Sequence, residues 1–131
     1  MRKVVFDTNI LVSALWSKQG NPYKVVEKLL SEGMILYYTD EMIEEYEEVL
    51  CREKFGFSKD QVESLLQELI KNGVLTVTIA STEIFTDETD RKFFDTAKAN
   101  DATLITGNTK HYPSQSFVVT PREFLQASGT K

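Results

Sequence analysis

Cysteine is nearly missing from this chain: Cys51 stands alone among 131 residues, so no internal disulfide can form. Such usage is expected of a protein kept in a reducing cytoplasm. Long hydrophobic runs are missing as well. No stretch approaches the roughly 18 apolar residues that a membrane span needs. The start, Met1-Arg2-Lys3-Val4, leads into a three-residue apolar segment, too short for the core of a signal peptide. There is no internal repeat, no low-complexity tract and no linker rich in proline or glycine, and one domain over residues 1–131 is expected. Positive charge is scarce too. A net charge of −5 gives no global pull toward nucleic acid, whose binders are usually basic. A polyanionic substrate would therefore need a local cation, either a basic rim or a bound metal.

What the chain does have is an alternation of short apolar runs with helical patterns. Val4–Phe6 is expected as the first strand, followed by a helix carrying Ile10, Leu11, Ala14 and Leu15. Asn21-Pro22 is expected to cap a second helix, with proline at its first position and Gly33 beyond its end. Ile35–Tyr38 is the second strand, and Thr39-Asp40 caps a third helix running to about Arg52. Ser58-Lys59-Asp60-Gln61 is a capping box for a fourth, with Val62, Leu65, Leu66, Leu69 and Ile70 on one face and Gly73 at its end. Further strands are expected at Val74–Ile79, Thr103–Thr106 and Phe117–Val119, with a helix at about Asp90–Asn100 and another opened by the capping box Thr120-Pro121-Arg122-Glu123. Strands alternating with helices predict an α/β fold with a parallel sheet covered on both faces. Strand order is not readable from these signals.

The acidic residues carry the chemistry. Asp7 ends the first strand and begins a helix, a place that lines the ligand crevice of an open parallel sheet; it serves as a metal ligand, a nucleophile or a helix cap. In the third helix Met42, Ile43, Tyr46, Val49 and Leu50 form the apolar stripe, and Glu41, Glu44 and Glu48 fall on the far side. Glu45 and Glu47 sit at the two borders, and geometry does not separate them. Asp90 heads a face formed by Phe93, Phe94 and Ala97, while Asp95 points off it. A carboxylate on an apolar face is costly unless paired, capping or metal-bound, and Thr86 or Asp87 is available to cap this helix instead. Asn108 follows Leu104-Ile105-Thr106-Gly107, again just past a strand. In a parallel sheet Asp7, Glu45, Asp90 and Asn108 all reach the same C-terminal edge. Three carboxylates crowded there repel one another. A hard divalent cation such as Mg²⁺ or Mn²⁺ removes that penalty.

In these residues the chain resembles PIN-domain proteins of the group that forms the toxin components of toxin–antitoxin pairs. The resemblance runs through Val5-Phe6-Asp7-Thr8-Asn9-Ile10-Leu11-Val12-Ser13-Ala14, Glu45-Tyr46-Glu47-Glu48-Val49-Leu50, Asp90-Arg91-Lys92-Phe93-Phe94-Asp95-Thr96-Ala97 and Leu104-Ile105-Thr106-Gly107-Asn108, and so covers nearly the whole chain. It implies a Rossmann-like, mostly parallel sheet of about five strands and a Mg²⁺- or Mn²⁺-dependent ribonuclease. The family's first three acidic positions match Asp7, Glu45 and Asp90, which selects Glu45 over Glu47. Its fourth is commonly Asp and here is Asn108, which can still ligate through its carbonyl oxygen but removes one negative charge and weakens a second metal more than the first. Asp95 and Asp87 are the candidates to compensate, although the helical direction of Asp95 counts against it. The resemblance also implies a homodimer or higher homo-oligomer and an inhibiting antitoxin partner.

The expected mechanism is metal-assisted hydrolysis of an RNA phosphodiester, with Asp7 and Asp90 as direct ligands and Glu45 ligating or orienting a coordinated water. Thr8 or Asn9 would hold Asp7 or meet a phosphate, and Thr106 would supply a supporting hydroxyl. Lys18, Arg91, Lys92 and Lys110 are the sequence candidates for a basic rim. Two rivals stand beside this reading. An aspartyl-phosphate phosphatase would use Asp7 as nucleophile, but a second Asp two residues on is replaced by Asn9. A catalytically weak binding module would keep the fold, with Asn108 as its support. His111, Cys51, Trp16 and Tyr23 read as surface, packing or interface residues.

Overall fold

In the computed structural model, which describes residues 2–127, the chain alternates strands and helices throughout. The order is β1 (Lys3–Phe6), α1 (Thr8–Trp16), α2 (Asn21–Glu32), β2 (Ile35–Tyr38), α3 (Asp40–Leu50), α4 (Lys59–Lys71), β3 (Gly73–Leu75), α5 (Arg91–Ala99), β4 (Thr103–Ile105), β5 (Val118–Val119) and α6 (Pro121–Ala127). Short 3₁₀ turns occupy Glu53–Phe55, Glu88–Asp90 and Thr109–His111. The expected single domain over 1–131 extends at both ends past the described residues. Among the described residues no helix is long and apolar enough to cross a membrane.

The five strands form one sheet in the order β3-β2-β1-β4-β5, and every neighbouring pair is parallel. Val4, Val5 and Phe6 in the central strand are fully buried, as a strand covered on both faces requires. From β1 the sheet grows through β2 and β3 on one side and through β4 and β5 on the other. The gap between the C-terminal ends of β1 and β4 is thus the topological switch point, where open α/β sheets collect ligands.

Local sequence explains the helix starts. The Thr39 side chain accepts from the Met42 N–H at 3.1 Å, and Ser58 and Gln61 complete a reciprocal capping box. Thr120 and Glu123 do the same for α6. At α2 the structure differs by one position: Gly20 is the cap and Asn21 is already helical, so Pro22 sits one residue further in. Gly33 ends α2 with φ +73°, the left-handed conformation that glycine adopts without a Cβ penalty.

Three other expectations need correction. The strand expected over Val74–Ile79 ends at Leu75. Its partner β2 stops at Tyr38, whose carbonyl accepts one last bond from Thr76 N at 2.8 Å. Beyond that no strand is available, and Val77 and Ile79 are each 91 % exposed. Ile70, expected on the apolar face of α4, is 42 % exposed because it lies past the strip contacting the core. Asp95, expected to point away from the core, is buried. The non-helical segment after β3 lies over that side of α5: Ser81 N donates to Asp95 Oδ2 at 3.0 Å, and Arg91 clamps the carbonyls of Ser81 and Glu83.

Candidate active site

Asp7 is the residue immediately after β1, and its extended backbone (φ −67°, ψ 148°) makes it the N-cap of α1. Its backbone N–H still donates to Ile105 O at 3.0 Å, which locks it to the end of β4. The side chain is nearly closed off from solvent. Oδ2 accepts from Thr106 Oγ1 and from Tyr112 Oη, both at 2.8 Å. Oδ1 accepts only the long cap contact from Asn9 N at 3.4 Å, so it retains acceptor capacity. Asp7 is therefore a cap and something more, because a cap alone needs neither hydroxyl.

Glu45 approaches from α3. Its Oε2 accepts from Thr8 Oγ1 at 2.5 Å, and its Oε1 pairs with Lys92 Nζ at 2.6 Å. Glu47 is exposed to solvent, so the structure separates the two glutamates that helical geometry left equal. Thr8, expected near Asp7, instead holds Glu45. Asn9 meets Asp7 through its backbone, while its side-chain Oδ1 accepts from Gly107 N at 3.1 Å and ties the loop after β4 to the start of α1.

Asp90 enters from the turn before α5. It stands at the N-cap position yet makes no side-chain cap bond; Asp87, one turn earlier, accepts from the Thr89 N–H and does the local capping. The Asp90 carboxyl is pushed up from 3.8 to about 6, chiefly by burial, then by the charges of Asp7 and Asp87 and, less, by Glu45. His111 Nδ1, 3.9 Å from Asp90 Oδ2, opposes the rise when protonated. The field of the cluster extends to the neighbouring phenols. Burial and the charges of Asp7 and Glu45 raise Tyr46, and burial together with Asp7 raises Tyr112, so both stay neutral donors.

These two tyrosines escaped the reading of the sequence. Tyr46 was placed only as an apolar-stripe residue, but its Oη donates to Phe6 O at 2.5 Å and fixes α3 to the end of β1. Tyr112 is buried in an otherwise polar loop, and that mismatch was the available signal. Thr106, fully buried, donates to Asp7 as described and accepts from Asn108 N at 3.0 Å.

Other expected residues take different places. Asn108 is exposed, engages through its backbone N–H, and makes no side-chain cap bond to the turn it opens. Asp95 is occupied by Ser81 N and lies 4.0 Å from Arg91, so it is a fold residue rather than a replacement acid. Arg91 is committed to Glu88, Ser81 and Glu83. Lys18 is exposed and lies beyond the far end of α1, a helix of nine residues and so roughly 13 Å long. Lys110 is exposed in the turn beside His111. Of the four basic candidates, Lys92 touches the acidic group.

Among the described residues, no three acidic, histidine or cysteine side chains converge into a ready metal cage. The donor chemistry nevertheless suits a hard cation that keeps much of its water, because Mg²⁺ is commonly held by one or two carboxylates plus substrate oxygens. Asp7, whose Oδ1 carries only the long Asn9 contact, and Asp90 with no hydrogen-bond donor on it meet that description. Glu45, with each oxygen already engaged, is placed to act at one remove.

Comparison with known proteins agrees with this architecture. A family model described as PIN domain matches residues 3–110. The chain is also 25 % identical over 140 residues to the uncharacterized protein MJ1680 of Methanocaldococcus jannaschii, covering 95 % of this chain and 90 % of that one. The chain belongs to the PIN domain family. PIN domains are in general nucleases, and they usually work with divalent metals.

Proposed function

We propose that the protein is a metal-dependent endoribonuclease whose centre is built by Asp7, Asp90 and Glu45. The observation that carries this reading is the placement of Asp90. A carboxyl without a hydrogen-bond donor stands at the β1/β4 switch point, raised to about 6 chiefly by its burial and then by the charges of Asp7, Asp87 and Glu45. Structural carboxylates are normally given donors, and this one is spared them beside a nuclease-family strand end.

In this mechanism Asp7 and Asp90 would hold one Mg²⁺ or Mn²⁺. The ion, when bound, supplies Lewis-acid polarisation of the phosphoryl group and acidifies the attacking water. The remaining work belongs to the chain. Thr106 and Tyr112 fix the Asp7 carboxylate by two hydroxyl bonds on one oxygen, and the other, which accepts only the long Asn9 N–H contact, would be the ligand atom. Thr8 and Lys92 fix Glu45, whose oxygens each keep a further lone pair with which to orient a water. The exposed backbone beyond Gly107 and the turn holding Lys110 and His111 border the same edge and receive the RNA strand. The test is cleavage of a labelled single-stranded RNA with Mg²⁺ or Mn²⁺ by the wild type, Asp7→Asn and Asp90→Asn. The reading expects each variant to lose about a hundredfold or more, since disturbing even the outer shell of a metal site costs roughly 10–100-fold. Equal activity in all three refutes it.

The proposal extends to a toxin role with a protein antitoxin and a homodimer. Its support is apolar surface away from the site: Trp16 is 63 % exposed, and a groove of about 280 Å³ between α1, α2 and α4 is lined by Ala14, Leu15, Tyr23, Val26, Leu30 and Leu65. Light scattering of the purified chain checks the dimer. A second reading, a binding module without turnover, has one observation in its favour, the exposed Asn108 at the fourth position. A Mg²⁺ titration separates the two. The phosphatase reading loses support, since Asn9 stands where a second acid is needed and its amide oxygen is engaged by Gly107.

A further inference from the structure

Lys92 is built into the acidic edge with more care than a rim residue requires. Its side chain is only 11 % exposed. The ammonium pairs with Glu45 Oε1 at 2.6 Å, donates to the Thr89 carbonyl oxygen, and lies 5.0 Å from the centroid of the Phe93 ring. That ring in turn stacks on Tyr46, whose hydroxyl is anchored to β1. Lysine normally keeps its charged head in water, so a head group with three anchors is a fixed positive charge in the site.

Charge then limits what else the site accepts. Asp7, Glu45 and Asp90 supply three negative charges to the pocket; Asp87, whose charge also reaches Asp90, is exposed and screened by water, and Asn108 adds none. One divalent ion together with the Lys92 ammonium balances them, whereas a second divalent ion would leave the pocket positive and would have to displace Lys92 from Glu45. We infer that Lys92 is the resident second cation of this site: it stands in for a second metal, holds Glu45 in position, and limits the protein to one divalent ion per chain. The inference rests on the metal-nuclease reading above and goes further by fixing the metal count and the residue that sets it.

The test counts bound Mn²⁺ on the full-length protein by electron paramagnetic resonance, for the wild type, Lys92→Met and Lys92→Arg. One ion per chain is expected for the wild type and for Lys92→Arg, which keeps the charge, and two for Lys92→Met, which keeps the length and loses it. Two ions on the wild type overturn the inference, and that count does not depend on how well the Met variant folds. One ion on both the wild type and Lys92→Met also overturns it while leaving the metal-nuclease reading intact. No bound Mn²⁺ on the wild type refutes that reading and this inference with it.

Discussion

Replacing Asp90 by Asn should stabilise the metal-free protein at neutral pH, contrary to the usual result of changing a well-placed residue. Burial and the charges of Asp7, Asp87 and Glu45 raise its carboxyl from 3.8 to about 6. At about 1.36 kcal/mol per pH unit that rise corresponds to about 3 kcal/mol. The side chain retains 17 % exposure, and screening by water lowers the expected gain to about 1–2 kcal/mol. The sign follows from linkage. A carboxyl raised in the folded state contributes its full stability below 3.8, where it is protonated in both states, and loses that contribution as pH rises through about 6. Asn carries no charge at any pH, so the advantage of the variant is near zero at pH 3.5 and complete at pH 8. In a domain of this size the melting midpoint should rise by about 3–10 °C at pH 8 in chelator-treated buffer. Addition of Mg²⁺ should then stabilise the wild type more than the variant, because the ion binds only where its ligands are intact. A variant that melts below the wild type at pH 8 without metal, or a difference that is the same at both pH values, would refute the reasoning.

Other consequences are as definite. Tyr112→Phe removes a buried hydrogen bond to the charged Asp7 and should cost about 1.5–3 kcal/mol in denaturant unfolding at neutral pH. Gly73→Ala should cost at least about 1–3 kcal/mol, since its Cβ would lie 2.9 Å from the carbonyl oxygens of Leu36 and Leu69 and 2.8 Å from the Tyr38 ring; a calorimetric midpoint equal to the wild type would contradict this. Asp95→Ala removes the bond on the Ser81 N–H and leaves the segment held by Arg91 alone, so limited proteolysis should cut between Val77 and Glu83 several-fold faster than in the wild type while α5 stays protected.

The α/β class and most helix starts were legible because caps and periodicity are local. Thr39, Ser58 and Thr120 each act within three residues of their partners. The strand order was not, since the pairing of β1 with β4 joins residues about a hundred positions apart and leaves no mark on either strand. Asp95 was misread for a related reason: helical direction was judged from α5 alone, and the cover comes from the chain around Ser81. At the candidate site, Asp7 stood out at the junction of a strand and a helix, and Asp90 as a carboxylate heading an apolar face. The family resemblance selected Glu45 over Glu47, which helical geometry alone did not, because what engages Glu45 is Thr8 and Lys92, side chains supplied by other helices. Lys92 was one of four candidates for a basic rim and nothing in the sequence set it apart from the other three, because only the fold carries its ammonium to Glu45.

Crystals grown with Mn²⁺ test the central claim most directly, through anomalous scattering recorded above and below the manganese edge. The account predicts one peak per chain within coordination distance, about 2.0–2.3 Å, of carboxylate oxygens of Asp7 and Asp90, and no peak there in Asp7→Asn. A fully loaded crystal with no manganese at that edge, or with its only peak elsewhere on the surface, would contradict it.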